Sequence, residues 1–551
     1  MKKAGFGPPF FGFALRVPRI AVRGAAAPFV PNRFGPFTPA SIFGKMKGVF
    51  LGDGGGYSGP NLSGRGMSVS LSRTTDRRKL LTTGLAAGLF AASGVSIASR
   101  PRVGGRLRAA LPGAAMTDSW DARKGFGLFM AAAAQGAVFD CLTEVAADGT
   151  LRGELATGWE ASRDAKLWVF DLRGDVRFHD GTPFDAASVV ETVRLHLNAG
   201  RSGAAWEIVE NIDSIRASGP NQVQFHLKTG NADFPYLLSD RHMIIYPAGK
   251  IAEAMREGIG TGLYRVARFE PGERFLGWRM ADHYRDGSAG WFDQIEFLAT
   301  ESGGDRFSLL TAGRVDAAAQ VDPFLAKTLS TMPDFTLSSI PGNQHVVLDA
   351  GQADPKVAQV LKLAVDRDSL LLKGLNGHGH IGHDSPVGPF NQYYETTGAR
   401  FDTSEARALL NKAGFEGVGL GLLALSSVPE SLTRALWPSL LAAGFGSGHD
   451  QQVKLWLSSG RATEDWAFAN RRSDQAGIAG LRAQARAELD PSKRAALYSE
   501  LQAQFRNQSA VVIPAFANFL QAMTSRIVTP ALVGNLWPMD NARFAERWWM
   551  S

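Results

Sequence analysis

Cysteine is almost absent from this chain of 551 residues, since Cys141 is the single one. One thiol excludes an internal disulfide and a cysteine-based metal cluster, and a chain long enough to bury a large core needs neither. Cys141 lies in an apolar segment between Asp140 and Leu142. We therefore predict a small core residue there, with a reactive thiol as the alternative.

Recognisable catalytic motifs are also missing. The sequence contains no HExxH pair, Walker-type loop, GxSxG elbow or CxxC. A glycine-rich run at 258–262 precedes residues with strand character, whereas a phosphate-binding loop precedes a helix. A hydrolase needs a positioned nucleophile and base, and none occurs at a recognisable spacing. We therefore expect no enzymatic activity and no cofactor.

Negative charge is scarce only in the first fifth of the chain. The formal net charge is +7, but residues 1–108 carry +15, which leaves −8 for residues 109–551. A nucleic-acid-binding protein needs a basic face to displace counterions from phosphates. The acidic body of this chain excludes that class, and we expect no nucleic-acid partner.

Residues 1–66 lack any helical or strand periodicity. They contain 14 glycines and 8 prolines, one third of the segment, and such a composition is too costly to order. Two interpretations remain. The segment is an over-extended gene start, with translation beginning at Met67 or Met46, or it is a functional disordered arm. We favour the first, because the residues after Met67 have the features of an export signal.

Residues 67–116 have the pattern of an export signal and linker. Arg77 and Arg78 precede residues 80–99, which carry no charged side chain and are interrupted by glycine and serine. A stable membrane span needs about 20 strongly apolar residues, so this mildly apolar stretch favours a cleaved signal. It resembles the twin-arginine export consensus, with cleavage expected near 96–98 or at 114–115.

The segment 155–184 is the most informative part of the body. Phe170 and Leu172 alternate with Val169 and Asp171, as in a half-buried strand, and residues 179–181 supply turn chemistry. Asp185 then stands where a helix N-cap is expected. Further helix starts are predicted from cap residues before apolar-periodic segments, at Asp354, Asp402 and Asp490.

These blocks, in this order, resemble the peptide/nickel-type (family 5) solute-binding proteins of ABC importers. The matching segments are LATGWE (155–160), WVFDLR (168–173), VRFHDGTPF (176–184), GTG (260–262) and LLTAGRVD (309–316). The resemblance covers most of residues 117–551. It implies an α/β, two-lobed periplasmic-binding-protein fold of type II, with a hinge between the lobes. The first lobe would comprise 117–340, the second, shortened lobe 341–510, and residues 511–551 would return to the first lobe.

The resemblance also implies positions for ligand-binding residues. A charged, peptide-like solute needs fixed counter-charges and an apolar wall. For each candidate below, the alternative interpretation is a residue of a surface turn or an ordinary aromatic residue of the core. The candidates in the second lobe are Arg461, Asp465 and Trp466. The candidates in the first lobe are Asp240, His242, Tyr246 and Trp206, with Arg241 where related chains carry tyrosine.

One histidine cluster has metal-ligand character. His378, His380 and His383 follow one another in a glycine-rich segment, and imidazoles at such spacing can bind zinc, nickel or copper. The alternative is a loop that needs no metal, as in the family's corresponding turn, and we favour it.

We therefore expect a protein that captures a solute. The resemblance implies a monomeric periplasmic receptor that takes up a peptide-like solute and delivers it to an inner-membrane ABC permease complex. Closure of the lobes over the solute would create the form that the permease recognises. The alternatives are an exported hydrolase and a chaperone or scaffold that kept the fold.

Overall fold

A computed structural model describes residues 101–351, 353–396, 398–424, 428–458 and 475–551. The predicted sites Arg461, Asp465 and Trp466 lie outside the described residues, as do residues 1–100. No helix in the described ranges is both long and apolar enough to cross a lipid bilayer.

Strands within the described residues are numbered in chain order. They are β1 Arg106–Leu111, β2 Thr143–Val145, β3 Leu151–Gly153, β4 Ala156–Ala161, β5 Leu167–Leu172, β6 Ile212–Ala217, β7 Gln222–Leu227, β8 Tyr264–Glu270, β9 Arg274–Arg279, β10 Gln294–Ala299, β11 Ala317–Ala319, β12 Phe335–Ile340, β13 His345–Asp349, β14 Gly379–Ile381, β15 Gly419–Ala424, β16 Gly446–Ser447, β17 Gln451–Leu457, β18 Val511–Ala517, β19 Phe519–Thr524, β20 Ile527–Val528 and β21 Trp549–Met550.

Helices within the same ranges are mostly short. They are α1 Leu128–Ala133, α2 Ala186–Ala199, α3 Trp206–Val209, α4 Phe234–Leu237, α5 Ile251–Glu257, α6 Gly303–Thr311, α7 Pro323–Ser330, α8 Pro355–Ala364, α9 Arg367–Ser369, α10 Thr403–Lys412, α11 Glu430–Ala442, α12 Gln475–Ala487, α13 Pro491–Gln508, α14 Pro538–Asn541 and α15 Phe544–Arg547. Single π-helical turns at Ala134–Val138 and Leu370–Gly374 extend α1 and α9.

Three of the sheets define two lobes. The first lobe contains a seven-stranded sheet in the order β12-β19-β11-β1-β10-β9-β8 and a four-stranded sheet in the order β4-β5-β7-β6. The second lobe is built on a six-stranded sheet in the order β14-β18-β13-β17-β15-β16. This mixed α/β arrangement is the two-lobed fold that the sequence predicts.

Over the ranges that the structure describes, the chain passes between the two larger sheets twice. Residues 341–344 join β12 to β13, and Asn518 alone joins β18 to β19. The side-chain amide of Asn518 donates to the Ser339 hydroxyl at 2.9 Å, which contacts His378 Nδ1 at 3.2 Å. Gly342 is required beside this crossing, because a Cβ there would lie 2.2 Å from the ring of Phe519. Two such short connections form a hinge.

The lobe boundaries differ from the sequence-based ones at two places. β1 lies inside 67–116, the predicted signal and linker, yet it pairs with both β10 and β11 in the middle of the first-lobe sheet. β18 belongs to the second-lobe sheet, so the return to the first lobe begins at Asn518 and not at residue 511. Both differences involve pairing between strands far apart in sequence, which local periodicity does not report.

Local signals in the sequence are confirmed where a cap sets the helix start. Asp185 accepts from the Ser188 amide, and Asp354 from the Lys356 amide. Asp402 and Asp490 cap α10 and α13 in the same way. β5 buries Trp168, Phe170 and Leu172 on one face, as the alternation predicts, and the glycine-rich run leads into β8.

Candidate functional site

One face of the first lobe is turned toward the second lobe. The backbone amide of Ala232 donates to the carbonyl of Arg486 in α12 at 2.9 Å. Glu207, in α3, lies close enough to Arg482 of α12 for its negative charge to favour the charged form of the Arg482 guanidinium. The segment that follows Ala232 contains Asp240 and His242, and α3 begins at Trp206, so three predicted residues belong to elements of this face.

Asp240 and His242 form the polar centre of this face. The Asp240 carboxylate contacts His242 Nδ1 at 2.7 Å and accepts from the His242 amide at 2.9 Å. His242 Nε2 accepts from the Phe126 amide at 3.4 Å. Because Nε2 accepts, Nδ1 carries the proton of the neutral ring and donates it to Asp240. The structure thus brings two predicted site residues into direct contact.

Accessibility separates the roles of this pair. The side chain of Asp240 is 20% exposed, whereas that of His242 is 1% exposed. The ring of His242 also packs against Phe126, with centroids 5.3 Å apart. Asp240 can therefore meet a ligand, while His242 orients the Asp240 carboxylate from behind.

Tyr246 has a structural role in the core. Its hydroxyl is fully buried, donates to the Trp120 carbonyl at 2.5 Å and accepts from the Ala122 amide at 2.9 Å. Burial raises the pKa of this phenol well above its usual value. Tyr246 therefore fixes the segment that leads to Phe126 and is not exposed to a ligand.

Arg241 provides a positive charge next to Asp240. Its guanidinium lies 3.9 Å from the centre of the Trp537 ring, which is cation–π geometry. Trp537 reaches this face from the C-terminal segment and packs against the first-lobe core. The guanidinium is thus held against Trp537, and the residue as a whole is 9% exposed.

Trp206 lies beside a second ion pair. Asp121 and Arg123 form a bidentate pair, with N–O distances of 2.9 and 2.8 Å. The Arg123 carbonyl accepts from the Ala204 amide at 2.8 Å, which ties this loop to the start of α3. Trp206 is half-buried and packs against the first-lobe core. Its exposed part can contribute to an apolar wall, and the rest of its surface packs against the core.

His196 stands behind this wall and is 1% exposed. Burial, helped by the nearby His242 and Arg123, lowers its pKa to about 4, although Asp121 and Asp240 act in the opposite direction. The ring is therefore neutral at neutral pH.

The described part of the second lobe presents amides and hydroxyls near the hinge. Asn343 Oδ1 accepts from Asn391 Nδ2 at 3.0 Å, and its carbonyl contacts His345 Nδ1 at 2.9 Å. Ser458, at the end of β17, accepts from the His345 amide at 3.0 Å. Residues 459–474, which hold the predicted second-lobe sites, follow Ser458 directly.

The three histidines of the predicted metal cluster are separated by their local contacts. His378 meets Ser339 at the hinge, His380 packs its ring against Phe390 with centroids 5.0 Å apart, and His383 Nδ1 accepts from the Ala399 amide at 3.3 Å. Within the described residues they do not bring three ligand atoms within 4.8 Å of one another. Burial lowers the pKa of each ring.

A buried group of carboxylates occurs elsewhere in the first lobe. Oxygens of Asp140, Glu154 and Glu546 lie within 4.8 Å of one another. Arg543 contacts Glu154 at 2.6 Å and Glu546 at 3.0 Å and supplies the counter-charge inside this group. A guanidinium in that position disfavours a metal cation by repulsion, so the group is an ion-pair network of the core.

Sequence reasoning did not identify Phe126, the Asp121–Arg123 pair or the stacking of Arg241 on Trp537. The only available signals were a lone phenylalanine between Gly125 and Gly127 and the unusual arginine at position 241. Neither reports a partner more than 100 residues away.

Comparison with known proteins supports the fold described above. The protein is 26% identical over 301 residues to the nickel-binding periplasmic protein of Escherichia coli K12, and 25% identical over 305 residues to the dipeptide-binding protein of the same strain. These alignments cover 51% and 49% of this chain and 56% of each relative. The chain thus spans just over half the length of the curated relatives that it matches.

Solved structures match over a larger share. A dipeptide-binding protein from Pseudoalteromonas sp. SM9913, solved with Met-Leu, superimposes with a TM-score of 0.70 at 17% identity, covering 81% of this chain and 100% of that one. AgaA from A. tumefaciens R10, solved with agropinic acid, gives a TM-score of 0.69 at 20% identity, covering 81% and 99%. Both carry the two-lobed fold.

The family model for the bacterial extracellular solute-binding proteins, family 5, matches residues 150–443. This range is more than half of the chain and includes Trp206, Asp240 and the first hinge crossing. The chain belongs to the family 5 bacterial extracellular solute-binding proteins.

Proposed function

We propose that this protein captures a small peptide-like solute between its lobes and delivers it unchanged to an inner-membrane ABC permease. The observation that carries the proposal is the double crossing between the two sheets, at 341–344 and at Asn518. Two short connections allow the lobes to rotate as units around a ligand. Family membership and the fold support the same function.

The first-lobe face supports a zwitterionic, peptide-like ligand. Asp240 offers a carboxylate for an ammonium group. Arg241, largely buried against Trp537, supplies positive charge in the same segment for a carboxylate. Trp206, which is half-buried, adds aromatic surface for an apolar side chain. Arg461, Asp465 and Trp466 remain the predicted contributions of the second lobe.

The location follows from the same function. We place the mature protein in the periplasm, exported by the twin-arginine route from the signal at 67–116, and acting as a monomer. Periplasmic relatives and the resemblance of Arg77 and Arg78 to the export consensus support this placement.

Native mass spectrometry of the purified protein tests the proposal most directly. We expect a co-purified small molecule, and we expect a dipeptide pool to raise the melting temperature by mass action. The nickel–histidine complex is tested separately, with His380→Ala as its control. Peptides recovered intact indicate a receptor, whereas cleaved peptides indicate a hydrolase.

Asp240→Asn tests the site itself. It preserves shape but removes the charge, and we expect about tenfold weaker dipeptide binding, the usual cost of one charge-assisted hydrogen bond. Asp213→Asn, on an exposed position of β6, is the matched control and should bind as the parent does. If no solute raises the melting temperature of either the variant or the parent protein, the result would favour a chaperone or scaffold and contradict the proposal.

A further inference from the structure

The turn between α12 and α13 rests on the first lobe. The Ala232 amide donates to the Arg486 carbonyl at 2.9 Å, and the guanidinium of Arg494 pairs with the carboxylate of Asp233. Leu489, in the turn, packs against the first-lobe core. We name this contact of residues 230–233 with residues 486–494 the seam.

Arg494 is held in place before it meets Asp233. Its guanidinium lies 5.7 Å from the ring centre of Tyr393 and 5.6 Å from that of Tyr498. These two rings stack on each other, with centroids 4.6 Å apart and planes at 12°. Gln502, one turn along α13 from Tyr498, donates to the Tyr393 carbonyl at 2.6 Å and fixes the stack. All of these groups belong to the second lobe.

Asp233 belongs to the first lobe and is not needed to cap a helix. It stands before α4, but its side chain makes no capping hydrogen bond. Its side chain is 33% exposed, and that of Arg494 is 13% exposed. The pair is therefore screened less than a surface ion pair, and it joins two units that a hinge allows to separate.

We propose that Asp233 and Arg494 form a clasp that holds the two lobes closed at the seam, and that the Tyr393–Tyr498 stack positions Arg494 for it. The role of this pair in solute retention rests on the proposed function, whereas the geometry of the pair does not depend on that function. An ion pair formed only in the closed form shifts the equilibrium toward that form by its full free energy. Opening at the seam must break this pair together with the Ala232 hydrogen bond.

The clasp therefore predicts slower solute release than the ligand contacts alone would give. Removing one charge should raise the opening rate by roughly five- to tenfold, a value between those for exposed and buried ion pairs. Solute association should change less, because loss of the clasp acts mainly on the rate at which the closed form opens. Arg494 and Asp233 are thus positioning residues that act through closure and need not touch the solute.

Hydrogen exchange of the Ala232 amide tests the clasp without any ligand, because its hydrogen bond crosses the seam. We expect Arg494→Gln and Asp233→Asn to exchange about five- to tenfold faster in peptides covering residues 230–234. The double variant Asp233→Arg with Arg494→Asp should restore part of the protection. Arg434→Gln, which removes an exposed pair with Glu430 in α11, is the matched control and should not change it.

The outcomes separate the clasp from the proposed function. Unchanged exchange in both single variants, or equal acceleration in Arg434→Gln, would overturn the clasp whatever the protein binds. Exchange of Ala232 only through global unfolding would also overturn it, because the seam would then be permanent packing. Faster exchange without any dipeptide binding would preserve the clasp and contradict the proposed solute. If Arg494→Gln reduces the fraction of folded protein, the exchange rate measured in the milder Asp233→Asn variant decides between these outcomes.

Discussion

Tyr246→Phe is expected to destabilise the protein and loosen one wall of the candidate site. The substitution keeps the ring against Phe139, whose centroid is 5.4 Å away. It removes the hydroxyl that donates to the Trp120 carbonyl and accepts from the Ala122 amide. Both backbone groups are buried and lose a partner.

The magnitude follows from those two groups. An orphaned buried donor or acceptor costs about 1–3 kcal/mol, and the carbonyl is less affected than the N–H because it has a second lone pair. We expect a loss of about 2–4 kcal/mol in the free energy of unfolding. The hydroxyl also ties the segment around Tyr246 to the loop before Phe126, so amides at 120–127 should exchange faster in the variant.

Tyr264→Phe is the matched control. Its hydroxyl is buried too but donates a longer hydrogen bond, to the Ala545 carbonyl at 3.1 Å instead of 2.5 Å. We expect a loss of about 1–2 kcal/mol and no change in exchange at 120–127. Urea unfolding and hydrogen exchange measure both quantities. Equal stabilities of the two variants, or unchanged exchange at 120–127 in Tyr246→Phe, would refute this reading of Tyr246 as an anchor.

Three further predictions use other buried groups. The pKa of His196 is lowered to about 4 from an ordinary value near 6.5, so protonation of this ring favours the unfolded state. The contribution of His196 to the free energy of unfolding is therefore fully present above pH 6.5 and falls by about 3 kcal/mol as the pH drops toward 4. His196→Leu should flatten this loss in urea titrations at pH 7 and pH 5, and an unchanged pH dependence would assign it to other groups. The Cys141 thiol is buried and its pKa is raised well above the usual value by burial, so a thiol reagent should label it only in denaturant; rapid labelling of native protein would contradict the core assignment. Arg543→Met removes the nearest partner that Glu154 and Glu546 share and leaves them the longer ion pairs with Arg285, at 3.4 and 3.3 Å. It should cost about 3–5 kcal/mol, measured against Arg434→Met, which should cost less than about 1 kcal/mol.

Local chemistry explains what the sequence predicted well. Caps such as Asp185 and Asp490 act on amides two or three residues away, and the alternation in β5 reports one face of one strand. The two-lobed fold came from the resemblance of the ordered sequence blocks to a known family. These blocks contain no information about β18, whose assignment depends on pairing with β13 and β14.

The candidate site was predictable only in part. Asp240 and His242 were found as neighbours in sequence, and the structure shows their direct contact. Tyr246 was a candidate because the family resemblance placed its segment at the ligand, but its hydroxyl satisfies backbone groups more than 120 residues earlier in the chain. The partners of Arg241 and Asp233, at Trp537 and Arg494, are separated from them by more than 250 residues, and no local pattern links them.

The order of strands in the first-lobe sheet has a consequence for biosynthesis. Its centre joins β1 at 106–111, β11 at 317–319 and β19 at 519–524, so neighbouring strands come from three distant parts of the chain. The strand that follows the entire second lobe is needed to complete the first. A ribosome must therefore translate to residue 524 before this sheet can close, and pairing over such distances makes folding slow. Until then, the edge of β11 stays open to aggregation or to a chaperone.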